Sequence, residues 1–217
     1  MYFQSRAEAG VMLASKLMKY RYDNTVIVAL SDGSVQVGMQ IAAELHATLS
    51  LLLTLPVDIP GEDTFYGMIT QEGGMVYNSD LTEGQVDDYY SEYRGNIEEQ
   101  KISQNSKLNK LLGSGGILEP DILRGQNVVL LSDGLNNTRE IDVALELTKP
   151  LKIERLIIAS PVASISAVDK AHISADEVCF LSVTPNFIDT DHYYDVNDMP
   201  NHEEVLKMLN EFVMRWR

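Results

Sequence analysis

A short polar loop follows four apolar residues in the stretch VVLLSDGLNNTREIDVAL, residues 128–145. Apolar residues then recur at helical spacing, so the stretch predicts a strand over 128–132, a turn, and a helix over 139–148. Backbone N–H groups at a helix N-terminus bind phosphate, so the loop predicts phosphate chemistry. Glu140 opposes that chemistry, because a carboxylate in the first helical turn occupies the positive end of the helix dipole.

The same arrangement occurs earlier in the chain, in VIVALSDGSVQVGMQIAAEL, residues 26–45. An apolar strand is predicted over 26–30, and a helix over 35–47. Between them lies the turn Ser31-Asp32-Gly33-Ser34, in which Ser31 or Asp32 is expected to cap the helix. This second loop also carries an acid where a phosphate site would need a cation.

The elements that position these loops alternate between strand and helix, which predicts an α/β fold. We expect one domain over 1–217, with a Rossmann-like, mainly parallel sheet flanked by helices. A hairpin (65–70 and 74–78) and a long polar helical region (84–112) predict a small insertion or flexible-loop region over 61–115. The other predictions are helices over 6–20 and 202–216, strands over 49–55, 155–160 and 177–182, and irregular chain over 183–200.

Composition excludes several classes of function. The net charge of −15, without any basic cluster, argues against a nucleic-acid partner. The single cysteine excludes a disulfide framework and favours a reducing cytoplasm. The sequence shows neither a signal peptide nor an apolar run long enough for a membrane span, so we expect no membrane partner. Residues 1–5 contain YFQS, which resembles a protease-site remnant.

Two other clusters contain residue types that bind metal ions. The acidic segment DTDHYYDVNDMPNHEE lacks the EF-hand spacing, because it has no Gly and places Pro200 where the last ligand should be. The four histidines lack zinc-like spacing and have no cysteine partners. A solvated loop is the better interpretation of the acidic segment.

Several pieces, in order, resemble the type I phosphoribosyltransferases over nearly the whole chain. RAEAGVMLASKL resembles the opening helix of a bacterial stand-alone group of that family, and VIVALSDGSVQVGMQIAAEL resembles its strand, pyrophosphate loop and helix. LRGQNVVLLSDG resembles the approach to the motif for phosphoribosyl pyrophosphate (PRPP), while IASPVA, ADEV and the stretch from TPNF to HEEVLKML resemble its C-terminal third. The resemblance implies displacement of pyrophosphate from PRPP by a base nitrogen, with Mg²⁺ as the cofactor and a homodimer as the assembly.

The resemblance also implies site residues in the PRPP loop. The family's two adjacent acids, which hold the ribose hydroxyls and associated Mg²⁺, fall on Ser132 and Asp133, and its glycine is kept as Gly134. The four residues of its 5′-phosphate cradle fall on Asn137, Thr138, Arg139 and Glu140. One acid, one glycine and one hydroxyl donor are therefore replaced.

The pyrophosphate loop changes in the same direction. The family's Arg-Gly-Gly falls on Asp32, Gly33 and Ser34, so a cation becomes an anion. At about 5 Å and an effective dielectric constant of ~20, one unit-charge contact is worth roughly 3 kcal/mol, so this reversal weakens pyrophosphate binding.

Few cations remain that could compensate. Arg139 could reach a phosphate, or it could pair with an acid such as Glu140 or Asp142. Lys101 and Lys107 lie in the region of the family's mobile active-site loop, where they could contact the ligand or be ordinary surface residues.

Three functions stay open from the sequence. The first is a phosphoribosyltransferase-fold protein with an eroded PRPP site, which binds a nucleotide, another ligand or a partner without efficient transfer. The second is an active but atypical transferase using Asp133, Mg²⁺ and Arg139 on a phosphorylated ligand. The third is an acidic structural or regulatory subunit.

Overall fold

The computed structural model describes residues 1–62, 64–112, 118–197 and 199–215. Eight strands occur in these ranges: β1 (Thr25–Ala29), β2 (Thr48–Leu51), β3 (Thr54–Asp58), β4 (Phe65–Thr70), β5 (Met75–Tyr77), β6 (Asn127–Leu131), β7 (Arg155–Ser164) and β8 (Glu177–Thr184). The α-helices of the same ranges are α1 (Arg6–Leu17), α2 (Asp32–Leu45), α3 (Glu83–Leu112), α4 (Arg139–Thr148), α5 (Ile165–Ser174) and α6 (His202–Arg215).

A parallel sheet of five strands, in the order β2-β1-β6-β7-β8, forms the centre of the fold. The register pairs Ile27 with Val129, and Val129 with Ile157. The strands β1 and β6 are buried on both faces, as their continuous apolar sequences indicate. One face packs against α1, α2 and α6, and the other against α4 and α5. The predicted α/β class, with helices on both sides of a mainly parallel sheet, is confirmed.

A second sheet, β3-β4-β5, is antiparallel and packs against α3. We call this sheet together with α3 the hood. The predicted hairpin is present as β4 and β5, with Met68 opposite Val76. The region 61–115 as a separate insertion stays a prediction, although the hood begins before it, at Thr54.

The predicted strand over 49–55 is wrong, because the chain divides it between two sheets. β2 belongs to the parallel sheet, and β3 begins only three residues later in the hood. Pro56 does not end a strand; it lies within β3, opposite Met68. Because β3 is an edge strand of its sheet, a residue without an N–H group is tolerated there.

The remaining differences are smaller. The turn at 31–34 is shorter than predicted, because α2 already begins at Asp32 with Ser31 as its N-cap. α5 was not predicted, because its buried residues are only two alanines, Ala167 and Ala171, while Ile165 and Ile173 are exposed. In α3, Ile97 is buried and Ile102 is exposed.

The first residues of the chain take part in the fold. Phe3 is buried and forms an isolated parallel bridge with Tyr194. Ser5 caps α1 by accepting a hydrogen bond from the backbone of Glu8, with an N–O distance of 3.2 Å. Within the described ranges, no helix has the length and apolar character needed to cross a membrane.

Candidate functional site

The two polar loops recognised in the sequence meet at the carboxyl edge of the parallel sheet. β1 and β6 are adjacent and parallel, so the loops that follow Ala29 and Leu131 leave the sheet side by side. Ligands of open α/β sheets bind outside the carboxyl ends of the strands, so this edge is the candidate site.

Asp133 lies at the junction of the two loops and is bound entirely by the protein. Its Oδ1 accepts hydrogen bonds from Ser31 Oγ at 2.7 Å and from Ser34 Oγ at 3.2 Å. Its Oδ2 accepts from Arg6 Nε at 2.7 Å. Its backbone N–H donates to Ser34 Oγ at 3.0 Å, and its carbonyl accepts from the Tyr194 hydroxyl at 2.5 Å. Asp133 therefore joins the two loops to each other.

Arg6 provides the opposite charge from the first turn of α1. Besides Asp133, its guanidinium donates to Asp191 at 2.6 Å and to Asn197 at 3.1 Å, and it lies 4.5 Å from the centre of the Tyr194 ring. Burial alone would lower the pKa of Arg6, but Asp133 and Asp191 more than offset this effect and the pKa is raised. Burial, followed by the charge of Asp133, raises the pKa of Tyr194. The N-terminal helix and the C-terminal segment thus meet on one buried ion pair.

Both glycines kept in the loops are explained by this packing. A Cβ at Gly33 would overlap Asp133 Oδ2 and would lie 2.8 Å from Arg6 Nε. A Cβ at Gly134 would lie 2.6 Å from the side chain of Thr190. The absence of a side chain makes room for the protein's own groups at both positions, and a bound phosphate is not needed to explain it.

Glu140 lies in the first turn of α4, beside the same loop. Its Oε2 accepts a hydrogen bond from Ser132 Oγ at 3.2 Å. Burial, followed by the negative charge of Asp133, raises the pKa of Glu140 to about 7, while the bond from Ser132 acts in the opposite direction. This environment therefore favours the neutral form of the carboxyl group over its charged form.

A cavity of about 520 Å³ opens between the loops, the hood and the start of α6. The polar residues that line it are Ser31, Asp32, Thr54, Lys107, Asn137, Arg139, Glu140 and His202, and the rest of the lining is apolar. A larger cavity of about 780 Å³ lies near β5 and the start of α3, and Asp32, Arg139 and Glu140 are not among its lining residues.

Asp32 and Arg139, which line the smaller cavity, are paired with residues far away in sequence. His202 Nδ1 donates to the Asp32 carboxylate at 2.8 Å, and its buried Nε2 has no hydrogen-bond partner among the described residues. Arg139 approaches Asp58 of the hood at 3.4 Å, and it lies 4.6 Å from the centre of the Phe65 ring. In this structure Arg139 thus pairs with Asp58, an acid that the sequence did not suggest as its partner.

The structure divides the predicted site residues into three sets. Asp32, Lys107, Asn137, Arg139 and Glu140 come together at the cavity. Gly33, Ser34, Ser132, Asp133 and Gly134 are in the two packed loops, and in the described chain they do not line the cavity. Thr138 is the N-cap residue of α4 without a side-chain hydrogen bond, and Lys101 pairs with Glu98 at 2.9 Å.

Sequence reasoning missed Arg6, His202 and Tyr194. Arg6 and His202 begin helices whose patterns indicate only packing, and Tyr194 lies in an irregular segment. Their partners are remote, because Arg6 is 127 residues from Asp133 and His202 is 170 residues from Asp32. No local signal marks these contacts.

Asp133 is the acid at this edge that the resemblance assigns to Mg²⁺. Each carboxylate oxygen of Asp133 already accepts a hydrogen bond from a protein donor. Throughout the described part of the chain, no group of three or more acidic, histidine or cysteine side chains is placed to hold a metal ion. In this structure, Asp133 holds the two loops together through its contacts with Ser31, Ser34 and Arg6.

Comparison with known proteins supports the fold and the ancestry. No family model matches the chain. It is 23% identical, over 209 residues, to proteins from two strains of Mycobacterium tuberculosis, CDC 1551 and H37Rv, each named as a "putative phosphoribosyl transferase". The match covers 96% of this chain and 46% of either relative, so the chain spans about half their length.

Among solved structures, the protein TT1426 from Thermus thermophilus is 26% identical, with a TM-score of 0.75. That match covers 98% of this chain and 99% of the other. The named relatives, the parallel sheet of five strands and the two loops at its carboxyl edge agree with one another. The chain therefore has the type I phosphoribosyltransferase fold.

Proposed function

We propose that this protein uses a phosphoribosyltransferase fold to bind a small molecule at the carboxyl edge of its sheet, without efficient transfer from PRPP. The observation that carries the proposal is the buried ion pair between Arg6 and Asp133. In this pair Arg6 binds Asp133, which is the acid of the PRPP loop that the resemblance assigns to the ribose and Mg²⁺.

The charges of the cavity support the same conclusion. Asp32 and Glu140 line it at the positions where the resemblance calls for an arginine and for a hydroxyl donor to phosphate. Asn137 Oδ1 accepts from the backbone N–H of Arg139 at 3.0 Å, so a protein oxygen uses one of the donors that a phosphate would need. A multiply charged pyrophosphate would meet two carboxyl groups here. The cavity remains, and its volume suits a small molecule.

One observation favours the second candidate function, an active but atypical transferase. Arg139 and Lys107 both line the cavity, and within the described residues Lys107 forms no ion pair. A ligand that displaced Asp58 from Arg139 would meet two cations on the hood side of the cavity.

A thermal-shift measurement with millimolar PRPP and Mg²⁺ at pH 8 separates the two functions. A ligand at 100 times its Kd stabilises a protein by about 2.7 kcal/mol, which raises the melting temperature by a few degrees. We expect no shift from PRPP and no release of pyrophosphate. A clear shift together with pyrophosphate release would establish the transferase.

The converse experiment restores the residues that the resemblance calls for. We expect the double variant Asp32→Arg, Glu140→Thr to gain a PRPP-dependent shift, because it replaces two acids in the cavity. A matched control, Glu44→Arg, Glu146→Thr, makes the same substitutions at exposed positions of α2 and α4 outside the cavity. An equal gain in the control would attribute the effect to net charge alone.

A further inference from the structure

We propose that Glu140 determines the charge of the ligand that the cavity accepts, because anionic ligands bind only while its carboxyl group is protonated. The inference rests on the proposed function, since it concerns the same cavity, and it adds a regulation by protons. It does not require that the ligand be PRPP.

The geometry singles out Glu140 among the charged groups of the cavity. It lines the cavity wall, and its one hydrogen bond in the described structure is from Ser132 at 3.2 Å. Glu140 has no ion pair with any described residue, whereas Asp32 is paired with His202 and Arg139 with Asp58. Glu140 is thus the acid of the cavity wall whose charge no protein cation offsets.

Every element around the cavity contributes a charge that an incoming ligand would meet. Asp32 comes from α2, His202 from α6, Lys107 from α3 and Arg139 from α4, while Asp133 stands behind Ser132 in the loop after β6. His202, which is paired with Asp32, is the imidazole of this set. Any test must therefore separate Glu140 from His202.

The pKa of Glu140, raised to about 7, places the change of charge near neutral pH. In the unfolded chain the same group has its ordinary pKa of 4.5, so the folded protein binds the extra proton between these two values. The stability of the fold therefore decreases as the pH rises through this window. The affinity for an anion decreases as the pH rises through 7, because a smaller fraction of the protein molecules then has a neutral Glu140 carboxyl group.

Inorganic sulfate is the appropriate probe, because it stays a dianion across the whole range and contributes no titration of its own. Isothermal titration calorimetry from pH 5.5 to 8.5 would compare the wild type with Glu140→Gln. We expect the affinity of the wild type to fall about tenfold per pH unit above 7, and that of the variant to stay constant. Retention of the wild-type slope in Glu140→Gln would overturn the proposal.

Two controls assign the effect. Glu146→Gln changes an exposed acid of the same helix outside the cavity, and it should keep the wild-type slope. His202→Gln should also keep the slope above pH 7; if the slope disappeared there, the proton would belong to His202. If neither the wild type nor Glu140→Gln bound sulfate at any pH, the proposal would also be wrong.

A second measurement uses only the wild type, so its result does not depend on whether a variant folds. Titration of the wild type in buffers of different ionisation enthalpy gives the number of protons taken up with each sulfate. We expect about half a proton at pH 7, approaching one at pH 8. Zero uptake would overturn the proposal. Its failure is distinct from failure of the proposed function, which would show as pyrophosphate release from PRPP.

Discussion

At the scale of single residues, Arg6 and Asp133 form a buried ion pair that includes an acid of the PRPP loop. Their side chains are 3% and 9% exposed, so both charges are largely removed from water. A buried ion pair contributes little net stability compared with apolar packing, but losing one partner leaves an uncompensated charge. The pair therefore acts as a constraint that holds α1, both loops and the C-terminal segment in one arrangement.

We expect Arg6→Met to lower the free energy of unfolding by about 3–5 kcal/mol, because Asp133 would stay buried without its cation. The double variant Arg6→Met, Asp133→Asn should recover part of that loss. Urea unfolding at pH 7.5 measures both. Lys19→Met is the matched control, since its ion pair with Glu177 at 2.6 Å is more exposed and should contribute much less to stability. Equal losses in Arg6→Met and Lys19→Met would contradict the assigned role of Asp133.

At the scale of elements, the junction of β1 with α2 shows how closely one loop is fitted to the next. Ser31 caps α2 and also donates to Asp133, and Gly33 leaves room for that carboxylate. The first turn of α2 and the loop after β6 are therefore built around each other.

We expect Gly33→Ala to destabilise the fold by about 1–3 kcal/mol, because the new methyl group must displace the Asp133 carboxylate or the helix itself. Gly84→Ala is a suitable control, since a Cβ there meets no atom within 4 Å. Thermal unfolding of the two variants side by side measures the difference. If Gly33→Ala matched Gly84→Ala in stability, the two loops could not be as tightly packed as described.

Many of the helices and strands could be predicted from hydrophobic periodicity, and the wrong predictions have physical causes. The strand before each loop and α4 are strongly patterned, so their positions were predicted almost to the residue. β2 and β3 were merged because one apolar run serves two sheets, and periodicity does not report which sheet a strand joins. The cavity's pairing of Asp32 with His202 depends on tertiary structure, as does the burial that changes the pKa of Glu140.

At the scale of the whole molecule, the net charge of −15 destabilises the folded state. Like charges on a compact surface repel one another, and salt screens that repulsion. The buried pair of Arg6 and Asp133 is screened much less, because water and ions do not reach it.

We expect the melting temperature to rise when sodium chloride is increased from about 10 mM to about 100 mM, since the Debye length falls from about 30 Å to about 10 Å. Arg6→Met should show the same rise, because the buried ion pair is screened much less than the surface charges. Differential scanning calorimetry of the wild type and Arg6→Met tests this. A melting temperature that falls with salt would show that attractive surface pairs outweigh the excess of acids.

The position of α4 links the hood mechanically to the cavity. Arg139, at its start, contacts Asp58 and Phe65 of the hood, while Asp142, one turn later, accepts from Ser79 at 2.9 Å and pairs with Lys170 of α5 at 2.8 Å. If the hood moved away from α4, the cavity would widen and Arg139 would lose its contact with Asp58. Ligand entry by that route would expose the guanidinium group of Arg139 beside Glu140. The cavity would therefore gain a positive charge whenever it widened in this way.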